Sequence, residues 1–219
     1  MKKCRPCITF LFFLFLIPAV RAQIPVGQDP FHKIVFENQF VRVLDLVIGG
    51  SDTTTTHVHN AASVVVFLTK SSLAIQTPAE AAIVTQVDKG DMVYRPYDET
   101  PTTHKVWSPD GSTLRCMVIE ILPGSTERDC KPILAPNANL LSNQKPVNVY
   151  DLRMSQAGTF SLTPSSCPYF LLNVSGPMEA SLSGKKHLLK EGDFVFIPPQ
   201  SPATLRASKN SKSILIQLK

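Results

Sequence analysis

Three histidines have the spacing of a metal site built on β-strands. His57 and His59 are separated by one residue, and His104 follows a Gly-Asp turn at Gly90 and Asp91. Because side chains alternate across a strand, His57 and His59 would point to the same face. His104, on a neighbouring strand, would complete a facial set of ligands for a divalent ion such as Fe, Zn, Mn or Ni. A metal site is therefore the leading hypothesis, and a histidine-lined binding barrel without metal is the alternative.

Short β-rich segments with turn signals between them surround these histidines. Residues 40–48 alternate and end at Gly-Gly, residues 63–68 form an apolar run, and residues 114–122 follow a Pro-Asp-Gly turn. A long amphipathic helical stripe is absent from the sequence. This pattern is typical of an all-β sandwich or barrel.

The chain also repeats itself. The segment 89–96 (KGDMVYRP) is echoed at 191–198 (EGDFVFIP). Two tandem β-barrels are the simplest explanation, with residues 23–131 as the first, 132–147 as a linker rich in Pro and Asn, and 148–219 as the second. The alternative is a chance match between two common strand entries.

The first 22 residues have the features of a secretory signal peptide. A basic start precedes an apolar run at residues 8–17, and small residues follow, which predicts cleavage between Ala22 and Gln23. The alternative, a membrane anchor, needs about 20 apolar residues. We therefore expect a periplasmic or secreted protein with no stable membrane insertion after cleavage.

Removal of the signal peptide changes the charge and the cysteine content. The formal charge of the whole chain is +5, but four basic residues leave with the signal, so 18 Lys and Arg remain against 17 Asp and Glu. This balance does not indicate nucleic-acid binding, which needs a dense basic surface. A small-molecule ligand is the expected partner. Cys116, Cys130 and Cys167 remain and allow one disulfide and one free thiol, with the pairing left open.

The order His-x-His, Gly-Asp-x4-Pro and a downstream His resembles the two conserved motifs of the cupins. The resemblance implies jelly-roll barrels and a mononuclear metal site of His57, His59 and His104. Cupins include dioxygenases, isomerases, decarboxylases, lyases and non-enzymatic binders, so the motifs specify fold better than activity. Barrels of this family often pair through edge strands, and a homodimer would fit the resemblance.

Two positions depart from the cupin motifs. The family usually has a Glu four or five residues after the second His, where this chain has Ser63 and Val64. The family usually places the last His about eleven residues after the glycine of the second motif, whereas His104 comes fourteen residues after Gly90. Three neutral imidazoles leave a divalent ion with its full charge, which favours anionic or chelating ligands. Within the family, such sites resemble the thiol dioxygenases, whose iron takes a bidentate substrate and O2.

The second half lacks these ligands. Residues 159–164 and 198–205, where the motifs would place histidines, contain none. We therefore expect a degenerate cupin-like barrel without metal ligands, which covers a sheet face or edge of the first barrel.

Four other residues are weaker candidates. Tyr94 and Arg95 lie on the strand after the Gly-Asp turn, and alternation would turn one of them into the pocket to bind substrate. Arg95 would then hold a carboxylate through a bidentate pair, although an outward-facing arginine is the alternative. His32, near the start of the mature chain, is expected at the surface, and Cys116 is expected to be buried.

The sequence leaves two classes of function open. The first is a metalloenzyme, with an iron oxygenase of a small chelating or anionic substrate as the leading case and an isomerase or lyase as a variant. The second is a non-catalytic binding module for a small anion, a sugar or the metal itself. No catalytic residue can be named, because an enzyme needs an acid–base or anchoring group at the metal and the first motif lacks its carboxylate.

Overall fold

The computed structural model describes residues 23–123, 128–154 and 156–219. The predicted signal peptide, residues 1–22, lies outside the described residues. Within the described ranges the chain forms nineteen β-strands and one short 3-10 helix, Val26–Gln28. In these same ranges, none of the helical structure is long and apolar enough to cross a membrane.

Ten strands lie in the first half of the described chain and nine in the second. The first half contains β1 (Ile24–Pro25), β2 (His32–Glu37), β3 (Val41–Ile48), β4 (His57–His59), β5 (Ser63–Phe67), β6 (Ser71–Gln76), β7 (Ile83–Val87), β8 (Met92–Arg95), β9 (Thr102–Trp107) and β10 (Leu114–Ile121). The second half contains β11 (Ala138–Asn143), β12 (Val147–Met154), β13 (Gly158–Leu162), β14 (Tyr169–Ser175), β15 (Met178–Leu182), β16 (Lys185–Leu189), β17 (Phe194–Ile197), β18 (Ala203–Ala207) and β19 (Ser211–Leu218).

Each half consists of two sheets with the same strand order. The first half has the orders β1-β4-β9-β6-β7 and β2-β3-β10-β5-β8, and the second has β13-β18-β15-β16 and β11-β12-β19-β14-β17. Strands β11 to β19 thus take the places of β2 to β10, and β1 is an addition that pairs parallel with β4. The prediction of an all-β chain with two tandem cupin-like barrels is confirmed.

The repeated Gly-Asp turn has the same structure in both halves. Gly90 and Gly192 have φ values of 84° and 81°, a left-handed conformation that glycine adopts without strain. The Gly90 amide donates to the Phe67 carbonyl at 2.7 Å, and the Gly192 amide donates to the Asn173 carbonyl at 2.9 Å. The aspartate after each glycine accepts a bond from the backbone amide three residues earlier. The sequence repeat therefore reflects a structural repeat.

The second half covers a sheet face of the first. The sheets β2-β3-β10-β5-β8 and β11-β12-β19-β14-β17 share one apolar core. At its edge, Lys212 donates from Nζ to the Gly90 carbonyl at 2.8 Å, and Lys89 pairs with Glu191. The core takes residues from both halves, among them Val43, Val64, Val66, Met117, Ile119, Phe170, Leu172, Ile214 and Ile216.

The segment predicted as a linker contains a strand. Within residues 132–147, β11 pairs antiparallel with β12 and forms the edge of the second barrel. Its sequence is poor in the β-branched and aromatic residues typical of strands, which explains why composition indicated a linker. Cys130 and Cys167 form a disulfide that ties the chain before β11 to the loop before β14. Cys116 is the free cysteine of the described ranges and is buried.

Candidate metal centre

Pairing of β4 with β9 brings three histidines together. His57 lies opposite His104 in the antiparallel register, and His59 follows two residues later on the same strand. The three side chains are buried, with residue exposures of 0%, 3% and 7% for His57, His59 and His104. The His57 and His59 ring centroids lie 4.9 and 5.0 Å from that of His104. The histidines that the motifs selected therefore form one cluster inside the first barrel.

The longer loop before β9 does not displace His104. A turn after Pro96 takes up the extra residues, since the backbone amides of Glu99 and Thr100 donate to the Pro96 carbonyl at 3.1 and 3.0 Å. Strand β9 begins directly after this turn. The register with β4, rather than the distance along the chain, places His104.

A fourth imidazole joins the cluster from β2. His32 was expected at the surface, but it is 3% exposed and its ring centroid lies 4.6 Å from that of His57 and 5.9 Å from that of His59. One ring nitrogen from each of these three histidines lies within 4.8 Å of the others. The expectation was wrong because the apolar residues of the stretch 32–37 do not mark an inward face: Ile34 and Val35 lie on opposite faces and both are exposed. Only its pairing with β3 decides which face turns inward.

Hydrogen bonds orient two of the imidazoles. His57 donates from Nδ1 to the Thr55 carbonyl at 2.8 Å, which leaves the lone pair on Nε2. His32 Nδ1 lies 3.2 Å from Asp29 Oδ1, which again leaves Nε2 free. His59 Nδ1 is buried without a hydrogen-bond partner in the described part of the chain. Histidines that bind metals are typically fixed in this way through their second nitrogen.

The spacing of two nitrogens fits a metal ion. His57 Nε2 and His59 Nε2 are 3.2 Å apart. Two nitrogen ligands at the Zn–N distance of 2.0–2.1 Å are separated by about 2.9 to 3.4 Å in octahedral or tetrahedral geometry. The two imidazoles therefore need little movement to share one ion.

Burial keeps three of the imidazoles neutral. Desolvation first and the neighbouring histidines second lower the pKa of His57 to about 4, of His59 to about 2 and of His104 to about 3. At neutral pH each of these rings is a neutral imidazole, which has a lone pair on one of its two nitrogens. They present the lone pairs that a metal ion requires.

A buried carboxylate lies behind the cluster. Asp29 is 2% exposed and accepts hydrogen bonds from the backbone amides of Phe31 and Thr55 at 2.9 and 2.8 Å, and from the Thr55 hydroxyl. Burial alone would raise the pKa of Asp29, but bonds from His32, Thr55 and Phe31 hold it below its usual range. Asp29 is therefore an ionised carboxylate at neutral pH.

The histidines open into a small cavity of about 70 Å³ inside the first barrel. The Tyr97 ring stacks on the His59 ring at a centroid distance of 4.8 Å, and burial raises the pKa of Tyr97, so its phenol stays protonated. The cavity is lined by His32, Leu46, His59, Val65, Phe67, Leu73, Ile75, Val93, Arg95, Tyr97, His104, Val106, Leu114, Cys116 and Val118.

Arg95 and Tyr94 point to opposite faces of β8. Arg95 lines the cavity at an exposed position, where its guanidinium can meet a ligand. Tyr94 packs against the apolar core between the barrels. Because adjacent side chains on a strand alternate, only one of the two can reach the cavity. Of the two candidates, Arg95 lines the cavity and Tyr94 lies in the core.

Ser63, which stands where the cupin motif usually has a glutamate, is buried. Ser63 is 0% exposed and donates its hydroxyl hydrogen to the Ala61 carbonyl at 2.8 Å. Its neighbour across β10 is Glu120, whose Oε2 accepts a hydrogen bond from Arg42 at 3.0 Å. Burial raises the pKa of Glu120. The carboxylate that contacts the histidines is thus Asp29 and not a motif residue.

The corresponding part of the second barrel is apolar. Strands β13 and β18 pair there as β4 and β9 do in the first barrel. They contribute Leu162, Ala203 and Leu205 to a buried apolar core. The side chains that these two strands turn inward pack in this core.

Comparisons with known proteins place this arrangement among solved structures. No protein-family model matches the chain, and no curated protein matches it by sequence. The fold matches a salicylate 1,2-dioxygenase from Pseudaminobacter salicylatoxidans with a TM-score of 0.64 and 10% identity, over 88% of this chain and 77% of that one. It also matches a cupin 2 conserved barrel domain protein from Leptotrichia buccalis, with a TM-score of 0.56 and 12% identity, over 85% of this chain and 87% of that one.

The chain has the cupin fold. AerE from Microcystis aeruginosa shares it as well, with a TM-score of 0.62 and 10% identity, over 87% of this chain and 98% of that one. Identities of this size establish the fold alone. The function has to be argued from the cupin barrel's own side chains.

Proposed function

We propose that the first cupin barrel binds one divalent metal ion through His57, His59 and His104 and acts as an oxygenase on a small chelating or anionic substrate. The observation that carries the proposal is the buried cluster of neutral imidazoles that opens into a cavity. When bound, the ion supplies Lewis acidity, and iron also supplies the one-electron chemistry needed for reaction with O2. Imidazole ligands suit iron, zinc and nickel, whereas manganese prefers oxygen ligands.

Arg95 supports an anionic substrate. Its guanidinium is the charged group of the cavity lining beside the histidines, and it can hold a carboxylate through two parallel hydrogen bonds. A carboxylate held there would place the rest of the substrate toward His59 and His104. The protonated Tyr97 hydroxyl would donate to a polar atom of the same molecule.

The cavity limits the size of the substrate. A volume of about 70 Å³ has room for about five water-sized groups, at 10–15 Å³ for each. The part of the substrate that meets the histidines is therefore a few atoms across. Apolar side chains such as Val106 and Val118 exclude water from that space and strengthen the electrostatic contacts inside it.

Proteins of the same fold include enzymes of this kind. The salicylate 1,2-dioxygenase has also been solved as adducts with gentisate. That neighbour supports small aromatic acids as the first substrates to try, because a carboxylate next to a hydroxyl can meet both a cation and a metal.

We also propose that the protein is exported to the periplasm or secreted. The support is the signal-like segment 1–22 and the disulfide between Cys130 and Cys167, since disulfides persist in oxidising compartments. Detection of the processed chain with Gln23 at its N-terminus outside the cytoplasm would agree with this. A full-length cytoplasmic chain would contradict it.

Oxygen consumption separates the two classes of function. The chain from Gln23 onward is loaded with Fe(II), Zn(II), Mn(II) or Ni(II) and offered small hydroxy, amino and thiol carboxylates, with oxygen uptake and ligand binding measured together. We expect uptake only with iron and a bound carboxylate, and none in a His57→Ala/His104→Ala variant. A His187→Ala variant, altered in the second barrel, serves as the matched control. Saturable binding without turnover for any metal would identify a binding module instead.

A further inference from the structure

The turn before β2 brings a carboxylate and an imidazole into the metal centre together. The Asp29 amide donates to the Val26 carbonyl at 3.1 Å, and the His32 amide donates to the Asp29 carbonyl at 3.1 Å. This backbone arrangement places the Asp29 carboxylate 3.2 Å from His32 Nδ1. Both side chains are at most 2% exposed. The pair is thus built by local hydrogen bonds and enclosed by the barrel.

The bond to Asp29 decides which nitrogen of His32 is available. With Nδ1 engaged by the carboxylate, Nε2 is the nitrogen that remains for a metal ion. His32 also has one ring nitrogen within 4.8 Å of nitrogens on His57 and His59. Asp29 Oδ2 itself lies 3.8 Å from His57 Nδ1 and receives the Thr55 amide, so it also braces the strand that carries His57.

The charges around Asp29 point to a cation. The groups that bond to it are an imidazole, a hydroxyl and two backbone amides, and among these only the His32 imidazole can take up a positive charge. A buried charge without an opposite charge is costly. A divalent ion held on the other side of His32 would compensate it. The net charge of the loaded centre would then be +1, as in a site with one carboxylate ligand.

We propose that His32 is a fourth metal ligand and that Asp29 positions it. Asp29 would then supply the negative charge that a glutamate supplies in the cupin motif, at the position where this chain has Ser63. This inference rests on the proposed metal site of His57, His59 and His104. The negative charge would lie on the hydrogen-bond partner of a ligand, Asp29, instead of on a ligand itself. His32 enters from β2 in the opposite sheet, so the ion would link the two sheets of the first barrel.

X-ray absorption spectroscopy on the zinc-loaded chain from Gln23 onward counts the imidazoles around the ion. We expect four imidazole nitrogens in the unmodified protein and three in His32→Gln. A merely structural role for His32 would leave the count at three in both proteins. Measurement on the unmodified chain keeps the test valid even where the variant folds poorly.

Zinc affinity tests the part played by Asp29. We expect Asp29→Asn, which keeps the shape and removes the charge, to weaken zinc binding roughly 10- to 100-fold in a chelator competition. His187→Gln is the control and should bind as tightly as the unmodified chain. An unchanged affinity in Asp29→Asn would overturn the positioning role.

The two proposals fail in different ways. If the unmodified chain binds no zinc, iron, manganese or nickel, the proposed metal function fails and this inference fails with it. If zinc binds with three imidazoles and His32→Gln leaves the affinity unchanged, the metal function stands and the fourth ligand is overturned.

Discussion

Acid should destabilise the metal-free protein through its buried histidines. The pKa values of His57, His59 and His104 lie at about 4, 2 and 3 in the folded chain, against about 6.5 in an unfolded chain. The unfolded state therefore binds protons that the folded state does not. The stability that comes from keeping these rings neutral is fully present above pH 6.5. It is lost as the pH falls from 6.5 toward the folded values.

The size of this effect follows from proton linkage. Between pH 7.0 and 5.5, each buried histidine should lower the free energy of unfolding of the protein by about 1.3 kcal/mol, and the three together should lower it by about 4 kcal/mol. The range lies above the ordinary titration of carboxylates, so Asp29 contributes little to it. His59→Gln removes one of the three groups and should lower the slope by about a third.

Urea denaturation in the presence of a chelator measures this slope. Unfolding of the chain from Gln23 onward is followed at pH 7.0, 6.5, 6.0 and 5.5 by circular dichroism and by the fluorescence of Trp107, the single tryptophan. His187→Gln, in the half-exposed position of the second barrel, should keep the full slope. A stability that does not change over this range, or an equal slope in His59→Gln, would refute the buried neutral cluster.

Further changes test three separate parts of the structure. Arg95→Leu should weaken binding of a carboxylate ligand roughly 10- to 100-fold, since hydrogen bonds to charged groups contribute about 1.5–3 kcal/mol. Tyr94→Phe should leave that binding unchanged because Tyr94 packs outside the cavity, and calorimetry on the metal-loaded protein checks both. Replacement of Cys130 and Cys167 by alanine should cost about 4 kcal/mol by the loop-entropy relation for a separation of 37 residues, and an unaltered urea midpoint would argue against the disulfide. Arg42→Leu should cost about 3 kcal/mol because it leaves Glu120 buried without its partner, and the double variant with Glu120→Leu should recover stability. Equal losses in the single and double variants would contradict that explanation.

The fold could be predicted because both halves of the chain contain the same short sequence motif. The Gly-Asp turns at Gly90 and Gly192 need a left-handed glycine and a short side chain that caps the turn, and both signals are visible in the chain. The alternating and apolar strands around them indicated barrels in the same way. Strand β11 escaped notice because its residues have weak strand propensity, and the hydrogen bonds that fix it come from β12.

The candidate site was only partly predictable, because its parts come from opposite sheets. His57 and His59 are neighbours on one strand, so their shared face follows from spacing alone. His104 depends on the register of β9 against β4, which a loop of unusual length obscures. The positions of His32 and Asp29 beside the other histidines depend on the packing of the opposite sheet against β4 and β9. No local sequence pattern predicts that contact.

Metal stoichiometry tests the central claim most directly. Elemental mass spectrometry is applied to the chain from Gln23 onward after reconstitution and desalting, beside His57→Ala/His104→Ala and His187→Ala. The account predicts about one transition-metal ion per chain in the unmodified protein and in His187→Ala, and none in the double variant. No bound metal in any of the three, or the same content in all three, would contradict a metal centre in the first barrel.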